Sequence, residues 1–143
     1  MNNTLIDKFD VLVKKHCSFL IDDYGFSLVK VGNTKYVFST ETTKIQMFIE
    51  HYSIVVGIEP TGISAHQLLQ KNIVPQSVSP VAIAKALNSN SKYEFMWLDE
   101  NSSIELIEQN FEREIDLIKQ FCVSLLKGNS ADWVIIDQYL RSG

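Results

Sequence analysis

Leu5, Phe9, Leu12, Val13, Phe19 and Leu20 lie on one side of a helical wheel turned about 100° per residue, with Asp7, Asp10 and Lys14 on the other. That pattern predicts an amphipathic helix over residues 4–21. Thr4 with Asp7 resembles a capping pair at its start, and Gly25, after Asp22-Asp23-Tyr24, is suited to a left-handed stop. From Phe26 the period shortens to two. Phe26 to Val31 and Lys35 to Thr40 read as strands joined by a turn at Gly32-Asn33-Thr34. Lys44 to Tyr52 and Ser53 to Ile58, rich in β-branched and aromatic residues, follow with little chain between them, so the simplest arrangement is a four-stranded antiparallel meander.

Glu59-Pro60-Thr61-Gly62 closes the meander, after which Ser64 to Lys71 and Pro80 to Leu87 read as helices. The second has Ser79 as N-cap and Pro80 at the first helical position, and Asn72 to Val78 between them reads as a loop. Lys92 to Leu98 allows a fifth strand or an irregular aromatic segment, because Tyr93-Glu94-Phe95-Met96-Trp97 alternates over too few residues to separate the two. Ile104, Ile107, Phe111, Ile115, Ile118, Cys122 and Leu125 form one stripe of a long helix from about Ser103 to Lys127, which Gly128 ends. Ser130 caps a final helix from Ala131 to about Leu140, with Trp133, Ile136 and Leu140 on one face. Strands gathered in the first half with helices around them give an α+β class: an N-terminal helix, an antiparallel meander of four to five strands, and helices packed on one face.

A chain of 143 residues, 45% of them apolar, can close one core without disulfides or metals, and no repeat or linker divides it. Residues 1–143 are therefore expected to form a single domain. Cys17 and Cys122 sit in apolar helical patterns and read as reduced core thiols. The net charge of −4, with no basic run longer than Lys14-Lys15, argues against nucleic acid as a partner. No run of about 18 apolar residues occurs, and the first residues lack the cationic start of a signal peptide, so the expectation is a cytoplasmic protein that stays off the membrane.

No nucleophile elbow, phosphate loop, dinucleotide fingerprint or metal-ligand spacing occurs in the sequence. No catalytic, metal or cofactor residues are therefore assigned, and the chain is read as noncatalytic. His16 falls on the apolar face of the first helix and reads as a partly buried histidine bonded to a neighbour. His51 falls beside Tyr52 at the turn between the third and fourth strands, and His66 in the first turn of a short helix. A small hydrolase built from dispersed residues, such as His51 with Glu50 or Glu59, is the remaining enzymatic alternative. Gly57 to Gly62 reads as an exit turn rather than a ligand loop.

Charge is distributed unevenly. From Glu94 to Asp116 the acidic residues are Glu94, Asp99, Glu100, Glu105, Glu108, Glu112, Glu114 and Asp116, against Arg113 alone. At helical spacing Glu105, Glu108, Glu112 and Asp116 share one flank of the long helix, about 100° round from its apolar stripe. Such a column either keeps a solvated face soluble or docks a basic protein partner, whose approach it would steer. Tyr93 and Trp97 join these four as candidate partner-binding residues, on the condition that their alternating face points outward.

Phe121 to Trp133, Phe-Cys-Val-Ser-Leu-Leu-Lys-Gly-Asn-Ser-Ala-Asp-Trp, behind the turn Tyr24-Gly25-Phe26, resembles a pattern found in small uncharacterised bacterial proteins. Some of those resemble immunity proteins encoded beside toxins. The similarity covers about a quarter of the chain, in helix-end and packing residues, and implies a binding protein without site residues to carry over. The expected function is a noncatalytic protein-binding domain of the immunity-inhibitor kind, docking a basic partner on the acidic helix face. The alternative is a homodimeric structural or adaptor protein, so the chain is expected as a monomer or a homodimer.

Overall fold

A computed structural model gives the architecture, and it describes residues 3–88, 96 and 98–142. The chain runs α1 (Asn3–Asp22), β1 (Ser27–Val31), β2 (Lys35–Ser39), β3 (Thr43–Glu50), β4 (Ser53–Pro60), α2 (Gly62–Gln70), α3 (Pro80–Leu87), α4 (Ile104–Phe121), α5 (Val123–Leu126) and α6 (Ala131–Ser142). The strands form a four-stranded antiparallel sheet in the order β1-β2-β3-β4. The α+β class and the meander are thus as the hydrophobic pattern predicts. The candidate fifth strand, with Tyr93 and Trp97, lies outside the described residues apart from positions 96 and 98.

Period-two alternation gives the sheet one buried face. Tyr36 and Phe38 of β2, Ile45, Met47 and Ile49 of β3, and Ile54, Val56 and Ile58 of β4 all point inward and are buried. Helices α1 and α4 belong to the same apolar cluster: Leu5, Phe9, Leu12, Val13, Cys17 and Leu20 come from α1, and Ile107, Phe111, Ile115 and Ile118 from α4. Phe9 meets Tyr36 edge to face with ring centroids 5.0 Å apart, and the Cys17 Sγ lies 3.6 Å from the Met47 Sδ. Both cysteines are free and buried, and burial pushes each thiol up to about 12, so neither is a ready thiolate.

The stops follow local chemistry. After α1, Gly25 takes a φ of 71°; its N–H donates to the Ile21 carbonyl and the Phe26 N–H to that of Leu20, which satisfies the helix end. Helix α3 starts as its sequence signals, with the Ser79 Oγ accepting from the Ala82 N–H and Pro80 next in line. Helix α4 starts likewise at Ser103, whose Oγ accepts from the Leu106 N–H.

Two expectations need correction. The long helix expected to Lys127 breaks at Cys122, whose ψ of 8° leaves the helical range, and resumes as the short α5. The break lets Leu125 and Leu126 both reach the core, and it presents the Leu125 carbonyl to the buried Thr43 Oγ1, which donates to it at 2.7 Å. Ser130 does not cap α6: its Oγ donates to Gln67 Oε1, and the Asn129 Oδ1 takes the Ala131 N–H instead.

Gly62 opens α2 at a φ of +51°, and a Cβ there would collide with the Glu41 carbonyl oxygen, whereas Gly25 at +71° faces open space. Urea denaturation is therefore expected to show Gly62→Ala destabilised by about 2 kcal/mol or more and Gly25→Ala by only about 1 kcal/mol.

Candidate functional site

Helices α1 and α4 lie side by side, and the acidic flank of α4 runs along their seam. Glu108 Oε1 accepts from Lys8 Nζ at 3.0 Å, and Glu112 Oε1 is 3.3 Å from His16 Nε2. The second contact is an ion-pair approach without hydrogen-bond alignment, since His16 Nε2 is buried and makes no hydrogen bond. Lys119, two turns beyond Glu112, lies over the Phe19 ring at 4.9 Å. Glu105 and Asp116 are exposed at the two ends of the column. Half of the carboxylates that the spacing groups together are thus met by Lys8 and His16 of α1, and the two ends are exposed.

The turn of α4 that faces α3 carries polar groups into the interior. Leu117 is buried against Val81 and Ala84 of α3, with Phe121 packed beside them. On the same side Asn110 and Glu114 are buried, Asn110 Oδ1 accepts from Arg113 Nη2 at 3.1 Å, and Glu114 Oε2 has no hydrogen-bond partner among the described residues. Burial pushes the Glu114 carboxyl up to about 7, against the opposing pull of the Arg113 charge. The sequence signal was there to read: Asn110, Glu114, Leu117 and Phe121 recur at helical spacing, a second stripe hidden by the acidic composition.

The dispersed enzymatic alternative does not assemble with Glu59. His51 sits in the turn before β4 at a φ of 54°, and Glu59 lies near the far end of that strand, where its Oε1 accepts from Gln46 Nε2 at 2.8 Å. The six steps from Ser53 to Glu59 separate the two by about 20 Å. His66 lies 3.2 Å from the Gln70 amide of its own helix. Among the described residues no group of His, Cys, Asp and Glu is placed to hold a metal ion, and no helix is long and apolar enough to cross a membrane.

The outer face of the sheet also carries apolar side chains, covered at Gly57 by Ser77 and exposed toward β1. Cross-strand register puts Val29, Val37, Gln46 and Gly57 in one row of the outer face and Val31, Lys35, Phe48 and Val55 in the next. Val29, Val31, Val37, Phe48 and Val55 all lie outside the apolar cluster that the helices share with the inner face. Polar groups border them, with Glu59 holding Lys44 at 3.7 Å at one end. The two sheet edges differ. At β4, Ile58 and Val78 exchange both backbone hydrogen bonds at 2.8 Å, which covers that edge. At β1 all five residues are exposed, and no further strand pairs with it among the described residues.

Sequence reasoning did not single out this surface. Its signal lies in β1 itself, where Leu28 faces inward while Val29 and Val31 face outward, so that both faces of one strand are apolar. A strand with a single solvated face alternates instead.

On the inner side of the same strand, Asp10 of α1 gathers three donors. Tyr36 Oη donates to Asp10 Oδ1, Lys30 Nζ lies 3.4 Å from that oxygen, and Lys14 Nζ is 2.9 Å from Oδ2. The Tyr36 hydroxyl, followed by Lys14, holds the Asp10 carboxyl down to about 2, while burial and this same bond push Tyr36 up to about 12. The cluster fixes α1 to the first hairpin and holds the charge of Lys30 against the helix.

No family model matches the chain, and no curated protein or solved structure shows significant similarity to it.

Glu114 sets a pH signature. Unfolded, the carboxyl loses its proton near 4.5, and folded, near 7, so between those values the folded state holds the extra proton. Its contribution to stability is complete below about pH 4.5 and is lost as pH rises through 7, a fall of at most about 3 kcal/mol. Denaturation midpoints of Glu114→Gln across that window should decline less with pH than those of the wild type; parallel declines would contradict this reading.

Proposed function

We propose that this chain is a noncatalytic protein-binding domain whose binding surface is the outer face of the sheet together with the free β1 edge. The observation that carries the reading is that Leu28, Val29 and Val31 are all exposed on one edge strand, Val29 at 57%. Solvated strand edges are usually blunted by charge, proline or a covering segment, because their unpaired N–H and C=O groups template another strand. The apolar centre bordered by polar side chains has the anatomy of a protein interface: a core that excludes water and a rim that stays wet. An extended segment of a partner adding to β1 would gain main-chain hydrogen bonds from the edge and side-chain burial from both faces.

A second reading, docking of a basic partner on α4, is favoured by the exposure of Glu105 and Asp116. It is weakened by Lys8 and His16, which already meet Glu108 and Glu112.

One experiment separates the two. A benzoylphenylalanine photo-crosslinker is placed in turn at Val29, Phe48, Glu105 and Asp116, and the variants are irradiated in the cells that produce the protein. A protein adduct at Val29 on the β1 edge, with none at Glu105 and Asp116, is expected, and an adduct at Phe48 would mark a partner that also spreads over the outer face. Adducts at the α4 positions alone would reject the sheet surface in favour of the acidic flank, and no protein adduct at any of the four would reject a binding function for both.

A further inference from the structure

We infer that the occupant of the β1 edge is a second copy of this chain, paired antiparallel through β1 so that two four-stranded sheets join into one of eight. The inference rests on the proposed binding surface and names its partner.

Strand β1 reads Ser27-Leu28-Val29-Lys30-Val31 and carries no proline and no acidic residue. A two-fold axis normal to the sheet pairs each residue with one on the same face. The register centred on Val29 is the one that uses all five residues: Val29 faces Val29, Leu28 faces Lys30, and Ser27 faces Val31. It sets no charge against a like charge. The register centred one pair further along, on Lys30, would oppose two ammonium groups and lose a strand end.

The charge on this edge is drawn toward the helix. Lys30 is the one charged residue of β1, and edge lysines ordinarily keep a strand from pairing. Here its side chain turns to the inner side and lies 3.4 Å from Asp10 of its own α1, a carboxylate it shares with Lys14, so its ammonium is held away from the outer face on which Val29 meets Val29.

Helix α1 carries matching apolar positions. Val11 and Ile21 are exposed at 62% and 42% and share one side of the helix with Lys14 and Ser18. Ile21 and Ser18 line an apolar cleft of about 120 Å³ between α1 and β1, which Leu28 and Phe38 close from the sheet. Lys30 reaches α1 at Asp10, and Leu28 meets it near Ser18 and Ile21, so Val29 lies level with the middle of the helix. Val11 and Ile21 stand about equally far to either side of that level. A two-fold axis through Val29 therefore brings Val11 of each copy toward Ile21 of the other, over the joined strands.

The test uses the full chain. Sedimentation of the wild type at about 100 μM should give twice the 16.3 kDa chain mass. Val29→Lys, which sets two ammonium groups across the axis, should raise the dissociation constant about tenfold or more while leaving the circular dichroism spectrum unchanged. Val29→Cys guards against a variant that fails for other reasons: mild oxidation should link it into a disulfide dimer, because directly opposed residues sit within bridging distance. Val55→Cys, on the outer face away from the edge, should not link, and the native thiols are buried.

A wild type that stays monomeric at that concentration overturns the inference. So does a dimer in which Val29→Cys links no faster than Val55→Cys. A monomer whose Val29 photo-crosslinks to a different protein removes the second copy while keeping the proposed binding surface, whereas absence of any adduct at Val29 and Phe48 removes that surface as well.

Discussion

The fold depends on burying one face of a four-stranded sheet against helices while the other face is covered only at its β4 end, where Ser77 lies over Gly57. The inward residues of β2, β3 and β4 meet α1 and α4, and Phe9, Phe38 and Phe111 are among the largest fully buried side chains of the core they share. Because side chains alternate with period two, the same register that sends Ile45, Met47 and Ile49 inward sends Gln46 and Phe48 outward. The helices that follow β4 serve the buried face and its edges. The β4 edge is covered by the Val78 bridge, and the turns at Thr40 to Thr43 and Gly128 are tied together through Thr43 and Leu125. Among the described residues, the β1 side of the outer face and the β1 edge remain uncovered.

The same constraint gives the acidic helix its place. A helix lying against a sheet beside a second helix must point one flank along the seam between them, and on α4 that flank carries Glu108 and Glu112. Their neighbours on α1 are Lys8 and His16. The solvent-exposed Lys8–Glu108 pair is worth only a few tenths of a kcal/mol to about 1 kcal/mol, so it aligns the helices more than it holds them. A charge column that looks like a docking surface on an isolated helical wheel becomes, in the fold, partly a seam.

Much of this was legible in the residues because two periods dominate. The switch from 3.6 to 2 at Phe26, the glycine at 25 and the Ser79-Pro80 start each have one physical reading, and the structure agrees with it. The break at Cys122 was not legible, since the apolar stripe continues through Leu125 without a glycine or proline to interrupt it; tertiary packing of Leu126 and the bond from Thr43 decide it. The burial of Asn110 and Glu114 is hard to read from the residues for a related reason. A carboxylate counts as polar on a wheel, and only the position of α3 turns that side of α4 inward. The apolar outer side of β1 was the least visible, because an exposed valine in an edge strand and a buried one in a central strand look alike until the strand order is known.

The most direct measurement is amide hydrogen exchange of β1 as a function of protein concentration. The account predicts that the amides of Leu28 and Lys30, which point to the free edge, exchange fast in dilute solution and slow progressively as the concentration rises through the dimer dissociation constant, while those of Val29, bonded to β2, and of β3 stay slow throughout. Exchange in β1 that does not change with concentration, while sedimentation follows the chain from monomer to dimer, would contradict it by placing the contact between copies elsewhere on the molecule.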